Sequence, residues 1–233
     1  MGKAAAERDF AAFVQGKFAA ISPRYDLLNT VLSFGIDASW RKAVCRELPA
    51  ARYPLVLDVC AGTLPLAREL LKASGRRVVA LDFCHAMLVR GREKAPRQAL
   101  PLICGDGMRL PLRDASVDAA TVAFGVRNLA QPSLGVSEMH RVLRPGGRAV
   151  VLEFSRPKNP LFGPLYSFYL KRLLPFVGGI VSGDREAYGY LAASIGKFME
   201  PAELAAIMRQ AGFRGVRYQA LTMGIVTLYV GDK

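Results

Sequence analysis

Three aspartates and a few glycines carry the clearest chemistry in this sequence. Asp58 opens the turn Asp58-Val-Cys-Ala-Gly62-Thr63, Asp82 closes a second apolar run 24 residues later, and Asp106 follows Gly105 after a third. Gly62 lets the main chain approach a ligand closely, and an acid in the position of Asp82 can accept both hydroxyls of a ribose. A fourth run ends in Ala123-Phe-Gly125. Acids at successive strand ends suit a nucleoside. A pyrophosphate calls for the full G-x-G-x-x-G pattern at a helix N-terminus, and only Gly62 of it is present, which disfavours hydride transfer from a nicotinamide. Any one such aspartate could simply cap a helix or turn; their order points to a cofactor.

The elements that must position these residues follow from periodicity. The pattern predicts strands over 55–60 and 77–82, each followed by a helix, over 65–73 and 85–94. It then predicts strands over 102–104 and 117–124, a helix over 133–143, an Arg144-Pro-Gly-Gly147 turn and a strand over 148–154. A helix over 201–211, opened by Pro201, precedes two strands, 214–221 and 224–230, paired around Thr222-Met-Gly224. Strands separated by helices imply an α/β doubly wound sheet, mostly parallel, with ligands beyond its carboxyl ends. Residues 1–50 read as a helical cap, 55–154 as the cofactor-binding core, 157–197 as an apolar insertion or lid, and 201–233 as the closing helix and strand pair of a single domain.

Composition sets the bounds. The chain has 233 residues, 52% hydrophobic and 22% charged, enough for one well-buried domain and far from the signature of disorder. Its formal charge of +13 should attract something anionic. The four cysteines are scattered without a CxxC pair, which argues for reduced thiols in the cytoplasm rather than a metal site. No secretory leader and no membrane-spanning run is legible. The arginines are spread along the chain with no aromatic-basic stripe, so nucleic acid is not the expected partner.

Several segments together resemble a known family. Val56-Leu-Asp-Val-Cys-Ala-Gly-Thr63, Leu81-Asp-Phe83, Gly105-Asp106 and Phe124-Gly-Val-Arg-Asn128 are similar to class I S-adenosylmethionine (SAM)-dependent methyltransferases. Glu138-Met-His-Arg-Val-Leu-Arg-Pro-Gly-Gly147, Leu152-Glu-Phe-Ser155 and Tyr188-Gly-Tyr-Leu191 narrow the resemblance to the ubiquinone/menaquinone-biosynthesis C-methyltransferases. Trp40-Arg41 and Tyr25-Asp-Leu-Leu-Asn29 match that family's N-terminal cap, and the likeness runs from about Lys17 to Gly231.

The resemblance implies a Rossmann-like sheet of seven strands and SAM as cofactor. It implies that Asp58 and Gly62 belong to the cofactor site, that Thr63 contacts the methionine end, Asp82 the ribose, Asp106 with Gly107 the adenine, and that Ala123 lines a fourth position. It further implies a polyprenyl quinol as acceptor, methylated on a ring carbon: demethylmenaquinol or its ubiquinone-pathway counterpart. Arg127 is the candidate catalytic residue, stabilising a phenolate or orienting a water that takes the proton, with a structural role in satisfying loop carbonyls as its alternative. Asn128, Tyr188 and Tyr190 are the candidate acceptor-binding residues. The apolar insertion, with Phe162, Tyr166, Phe168, Leu170 and Phe176 beside Lys171-Arg172, suits a groove for the tail that touches an anionic membrane surface. A lid or a homo-oligomer contact is the other use of such a patch. The expected location is cytoplasmic, peripheral to the inner face of the membrane.

One departure stands out. Where the family turn continues Gly-Thr-Gly-Asp, this chain has Gly62-Thr63-Leu64-Pro65. Leucine there is strained if the backbone is left-handed, or crowds the methionine end if the glycine only permits close approach. The departure motivates a second reading, a non-catalytic scaffold with weakened cofactor binding; a third, independent of it, is a methyltransferase of the same fold acting on another small molecule.

Overall fold

The structure is a computed structural model that describes residues 10, 12–17, 19, 22, 25–95, 100–176 and 185–233. Two cap helices, α1 (Tyr25–Leu32) and α2 (Asp37–Arg46), precede the first strand. Then β1 (Leu55–Val59), α3 (Pro65–Leu70), β2 (Arg77–Asp82), α4 (His85–Lys94) and β3 (Leu102–Cys104) alternate as βα units. β4 (Val117–Ala123), α5 (Pro132–Val142) and β5 (Leu143–Phe154) continue the alternation. The insertion contributes α6 (Phe162–Phe168), a π-helical turn (Tyr169–Leu173) and α7 (Arg185–Lys197). α8 (Pro201–Gln210), β6 (Arg214–Leu221) and β7 (Val226–Asp232) close the chain.

The seven strands form one sheet in the order β3-β2-β1-β4-β5-β7-β6, parallel except for β7, which runs antiparallel to both neighbours. The order reverses between β1 and β4, where the crossovers pass to opposite faces and a crevice opens at the carboxyl ends. The central strands are short apolar runs because both faces are covered. One face packs Val56, Val78 and Val150 against α2 and α3, through Trp40, Val44, Leu48 and Leu66. The other packs Leu57, Val122 and Val151 against α5 and α8, through Val136, Met139, Leu204 and Met208.

Two boundaries differ from expectation by more than two residues. The Arg144-Pro-Gly-Gly147 turn does not precede β5 but lies inside it: the register with β4 jumps from Val117↔Leu143 to Ala119↔Arg148, and the extra residues are absorbed as a bulge. Gly146 at φ +77° supplies the left-handed step. The first core helix stops at Leu70, three residues short of its apolar pattern, because a turn over 71–75 carries the chain back to β2.

Candidate active site

Two neighbouring cavities lie at the switch point. The smaller, about 210 Å³, is bordered by Asp82, Asp106, Gly107, Asn128 and the apolar side chains of Phe83, Met87 and Leu129. The larger, about 500 Å³, is bordered by the cap, the insertion and the hairpin turn between β6 and β7. Cys60, Gly62, Ala123 and Phe124 line both, so the two share a wall made of the ends of β1 and β4.

The turn after β1 carries three left-handed residues in alternation, Cys60 (φ +54°), Gly62 (φ +54°) and Leu64 (φ +68°), of which Cys60 and Gly62 form the wall. It is held by Asp82, whose Oδ2 accepts the Gly62 N–H at 2.8 Å while Oδ1 accepts the Cys84 N–H at 2.8 Å. Burial raises the Asp82 pKa, and these two donors pull it back. Each oxygen keeps a lone pair for a ligand hydroxyl. Asp106 Oδ1 accepts the Met108 N–H at 2.8 Å, fixing the loop that carries Gly107 into the small cavity. A Cβ on Gly125 would stand 2.4 Å from Cys60 Cβ, so only glycine allows the β1 and β4 ends to meet here.

Asp58 borders the larger cavity beneath the shared wall. Its cross-strand neighbour Thr121 donates a hydroxyl to it at 2.8 Å. Burial pushes the Asp58 pKa up to about 7, against the lowering from Thr121 and the Ala67 amide, with the Asp82 charge adding to the rise.

Thr63 does not reach either cavity. It is fully buried, and its hydroxyl donates to the Asp26 carboxylate of α1, which also receives the Lys94 ammonium at 2.6 Å. Its hydroxyl thus ties cap to core. Leu64 is turned away as well: it is completely buried and lines neither cavity. Its left-handed backbone, at φ +68°, is the strained alternative. Room for the side chain comes from Gly91 on α4, where a Cβ would stand 2.4 Å from Leu64 Cγ.

Arg127 borders the larger cavity from a 3₁₀ turn (Val126–Asn128) after β4. Its Nη1 donates to Glu153 Oε1 and to the Phe124 carbonyl, each at 2.6 Å, and both charged side chains are buried. Its guanidinium lies 5.1 Å from the Phe154 ring centre. Asn128 borders the smaller cavity and Tyr190, on α7, the larger; the Tyr190 hydroxyl donates to Asn128 Oδ1 at 3.1 Å and so joins the two. Tyr188 lies on the same helix, but its side chain falls outside the described residues.

Phe162, Tyr166 and Leu170 line the larger cavity as expected of a greasy groove, whereas Phe168 and Phe176 face outward and are exposed. Sequence reading missed Glu153 as the partner of Arg127, although a lone carboxylate inside an apolar strand was a usable signal. It missed Trp40 as a wall: the indole packs edge-on to Phe124 and Phe154 and donates to Thr222 Oγ1 at 2.8 Å. Among the described residues no group of three or more His, Cys, Asp or Glu side chains is placed to hold a metal ion, and no helix is long and apolar enough to cross a membrane.

The reversed sheet order, the acid after β2 and the nucleoside-sized cavity define a class I SAM-dependent methyltransferase. A solved SAM-dependent methyltransferase from Thermotoga maritima superposes with a TM-score of 0.69 over 94% of this chain and 99% of its own, at 18% identity, a likeness of fold. The chain belongs to the ubiE/COQ5 methyltransferase family, whose model matches residues 3–233. It is 47% identical over 230 residues to the demethylmenaquinone methyltransferase of Deinococcus radiodurans, covering 97% of this chain and 95% of that one. It is 44% identical to that of Thermus thermophilus, covering 93% and 99%. The protein is therefore a SAM-dependent enzyme, and the lining of the small cavity fits that cofactor: Asp82 and Asp106 border it with hydrogen-bond acceptors, and a Cβ at Gly107 would stand 3.2 Å from Val59 Cγ1.

Proposed function

We propose that this enzyme transfers the methyl group of SAM to a ring carbon of a reduced, demethylated polyprenyl quinol, with demethylmenaquinol as the acceptor. The observation that carries this reading is the shared wall. Cys60, Gly62, Ala123 and Phe124 separate a polar-ended cavity of nucleoside size from a larger one walled by aromatic and aliphatic side chains. A volume of about 500 Å³ holds a two-ring head group and the start of a tail. When bound, SAM supplies a methyl group already activated by its sulfonium.

In this reading Asp82 holds the ribose hydroxyls, Asp106 and Gly107 border the adenine, Gly62 and Ala123 line the junction, and Asp58 lies beside the methionine end. Thr63 acts at one remove, through Asp26. On the acceptor side, Arg127 stabilises the phenolate that makes the ring carbon nucleophilic, or fixes the water that takes the phenolic proton. Asn128, Tyr188 and Tyr190 hold the ring, and the insertion covers it. Residues 1–50, 55–154, 157–197 and 201–233 serve as cap, core, lid and closing unit of one domain. The setting that suits such an acceptor is the cytoplasmic face of the membrane, with peripheral attachment to anionic lipid; a homo-oligomer is the other partner the apolar lid accommodates.

Calorimetric titration with SAM and with its demethylated product comes first, with micromolar binding, about −8 kcal/mol, expected. Transfer of labelled methyl to reduced demethylmenaquinone in detergent, with the new methyl located on a ring carbon by mass spectrometry, completes the test. No binding of either nucleoside would favour a scaffold. Methylation of soluble phenols but not of the lipid quinol would assign a different acceptor.

A further inference from the structure

We infer that the mouth of the larger cavity is a lipid-docking face: its rim inserts into the surface of an anionic bilayer, and the acceptor passes from the bilayer into the cavity without crossing water. The passage rests on the acceptor being a polyprenyl quinol; the docking does not.

Three separate segments meet at this rim. The turn between α1 and α2 brings Phe34, the hairpin turn between β6 and β7 brings Met223, and α6 brings Leu165; each of these borders the cavity. All three are also turned to solvent, with Phe34 82%, Met223 62% and Leu165 64% exposed. Phe34 (φ +52°) and Met223 (φ +56°) are left-handed, a conformation that disfavours a side chain with a Cβ. The backbone thus accepts strain at two tips whose only visible result is an apolar side chain held out into water, and such strain concentrates at working sites. Both tips are anchored. Gly35 N–H donates to the Thr30 carbonyl at 2.7 Å, and Thr222 receives the Trp40 indole at 2.8 Å.

The lid adds a second observation. One stripe of α6 and the π turn, Phe162, Tyr166 and Leu170, faces the cavity. With Leu165 at the boundary between the two sides, the opposite stripe, Leu161, Phe168 and, across the π turn, Leu173 followed by Phe176, is exposed. A helical segment that exposes large apolar side chains on the side away from its cavity marks a contact surface. Within the outer stripe stand Lys171 and Arg172, both exposed. Cations set among aromatic and aliphatic side chains, on a chain of formal charge +13, match the anionic headgroup layer above an acyl region. Lipid also suits the geometry better than a second copy, because a protein seated on this rim would close the mouth that the acceptor must enter.

The test is sedimentation with vesicles of phosphatidylglycerol and phosphatidylcholine in equal parts, without substrate. The full chain is expected to sediment with them and to remain free of pure phosphatidylcholine. Phe168→Ser/Phe176→Ser is expected to weaken sedimentation roughly tenfold or more, and Lys171→Gln/Arg172→Gln to remove the preference for the anionic lipid. Neither pair borders the cavity. Methylation of a short-tailed, water-soluble quinol should therefore be unchanged, while methylation of a long-tailed quinol embedded in vesicles falls in step with sedimentation. Thermal melts confirm that the variants fold. Wild-type protein that stays in solution, or phenylalanine variants that sediment as the wild type does, would overturn the proposal. So would a wild-type dimer that Phe168→Ser/Phe176→Ser dissociates, since a second copy then covers the face. Sedimentation with no methylation of any quinol would leave docking in place and remove the acceptor assignment instead.

Discussion

Arg127 combines two uses of a guanidinium in one place. It borders the acceptor cavity, and it is half of a buried ion pair with Glu153, whose Oε2 also accepts the Arg127 N–H at 3.2 Å. Removing one member of such a pair leaves the other charge buried and alone, at a cost of about 3 to 5 kcal/mol. Arg127→Met should therefore destabilise the fold and also lower turnover on the order of 100-fold. Arg127→Met/Glu153→Gln separates the two effects: stability measured by urea unfolding should largely recover, and turnover should not. Joint recovery would make Arg127 a structural residue only. Asp82 permits a simpler test. Losing the charge-assisted bonds of Asp82→Ala should weaken SAM binding by about 1.5 kcal/mol or more, roughly tenfold, by calorimetry. Unchanged affinity would remove it from the site.

At the scale of elements, the β1–α3 turn shows how one departure from a family pattern is absorbed. Leu64 is left-handed at the N-terminus of α3, which costs about 1 to 2 kcal/mol, and Pro65 behind it fits the first helical turn. The leucine side chain is completely buried, filling the space that Gly91 leaves on α4. The two positions act as a pair. Gly91→Ala should cost about 1 to 3 kcal/mol through overpacking, and less than half of that in a Leu64→Gly background. Equal costs in the two backgrounds, read by denaturant unfolding, would show that the sites are independent. The pairing also leaves the cofactor side of the turn uncrowded, which argues against the scaffold reading of this sequence.

At the scale of the whole molecule, the larger cavity belongs to no single segment: cap, core, insertion and hairpin turn each contribute a wall. Asp58 lies at its floor, and its charge state reports on global stability. Because its folded pKa, about 7, is above the usual carboxylate value near 4, the fold favours the protonated form. The native state then binds more protons than the unfolded chain between about pH 4 and pH 7. This contribution is complete below pH 4 and is lost as pH rises through 7. In Asp58→Asn this part of the slope should vanish, so the melting temperature of the wild type should lose ground to the variant as pH is raised across that window. A constant gap would place Asp58 in contact with water.

The sequence by itself determined the doubly wound sheet, the order of its strands and helices, and the strand ends that carry Asp58, Asp82, Asp106 and Ala123. These are local matters of period and turn chemistry, and the parallel sheet leaves few topologies to choose from. It also carried the family motifs. The tertiary structure decided what depends on which side chains meet. Thr63 turns to the cap rather than the cavity because Asp26, 37 residues earlier, lies within reach of its hydroxyl. Arg127 finds Glu153, 26 residues later, because β4 and β5 are neighbours in the sheet. Phe168 and Phe176 face outward while Phe162 lines the cavity, since a helix apolar on both sides has no pattern that tells its inside from its outside. Leu64 could be read as strain or as crowding until Gly91, on another helix, supplied the space that settles its direction.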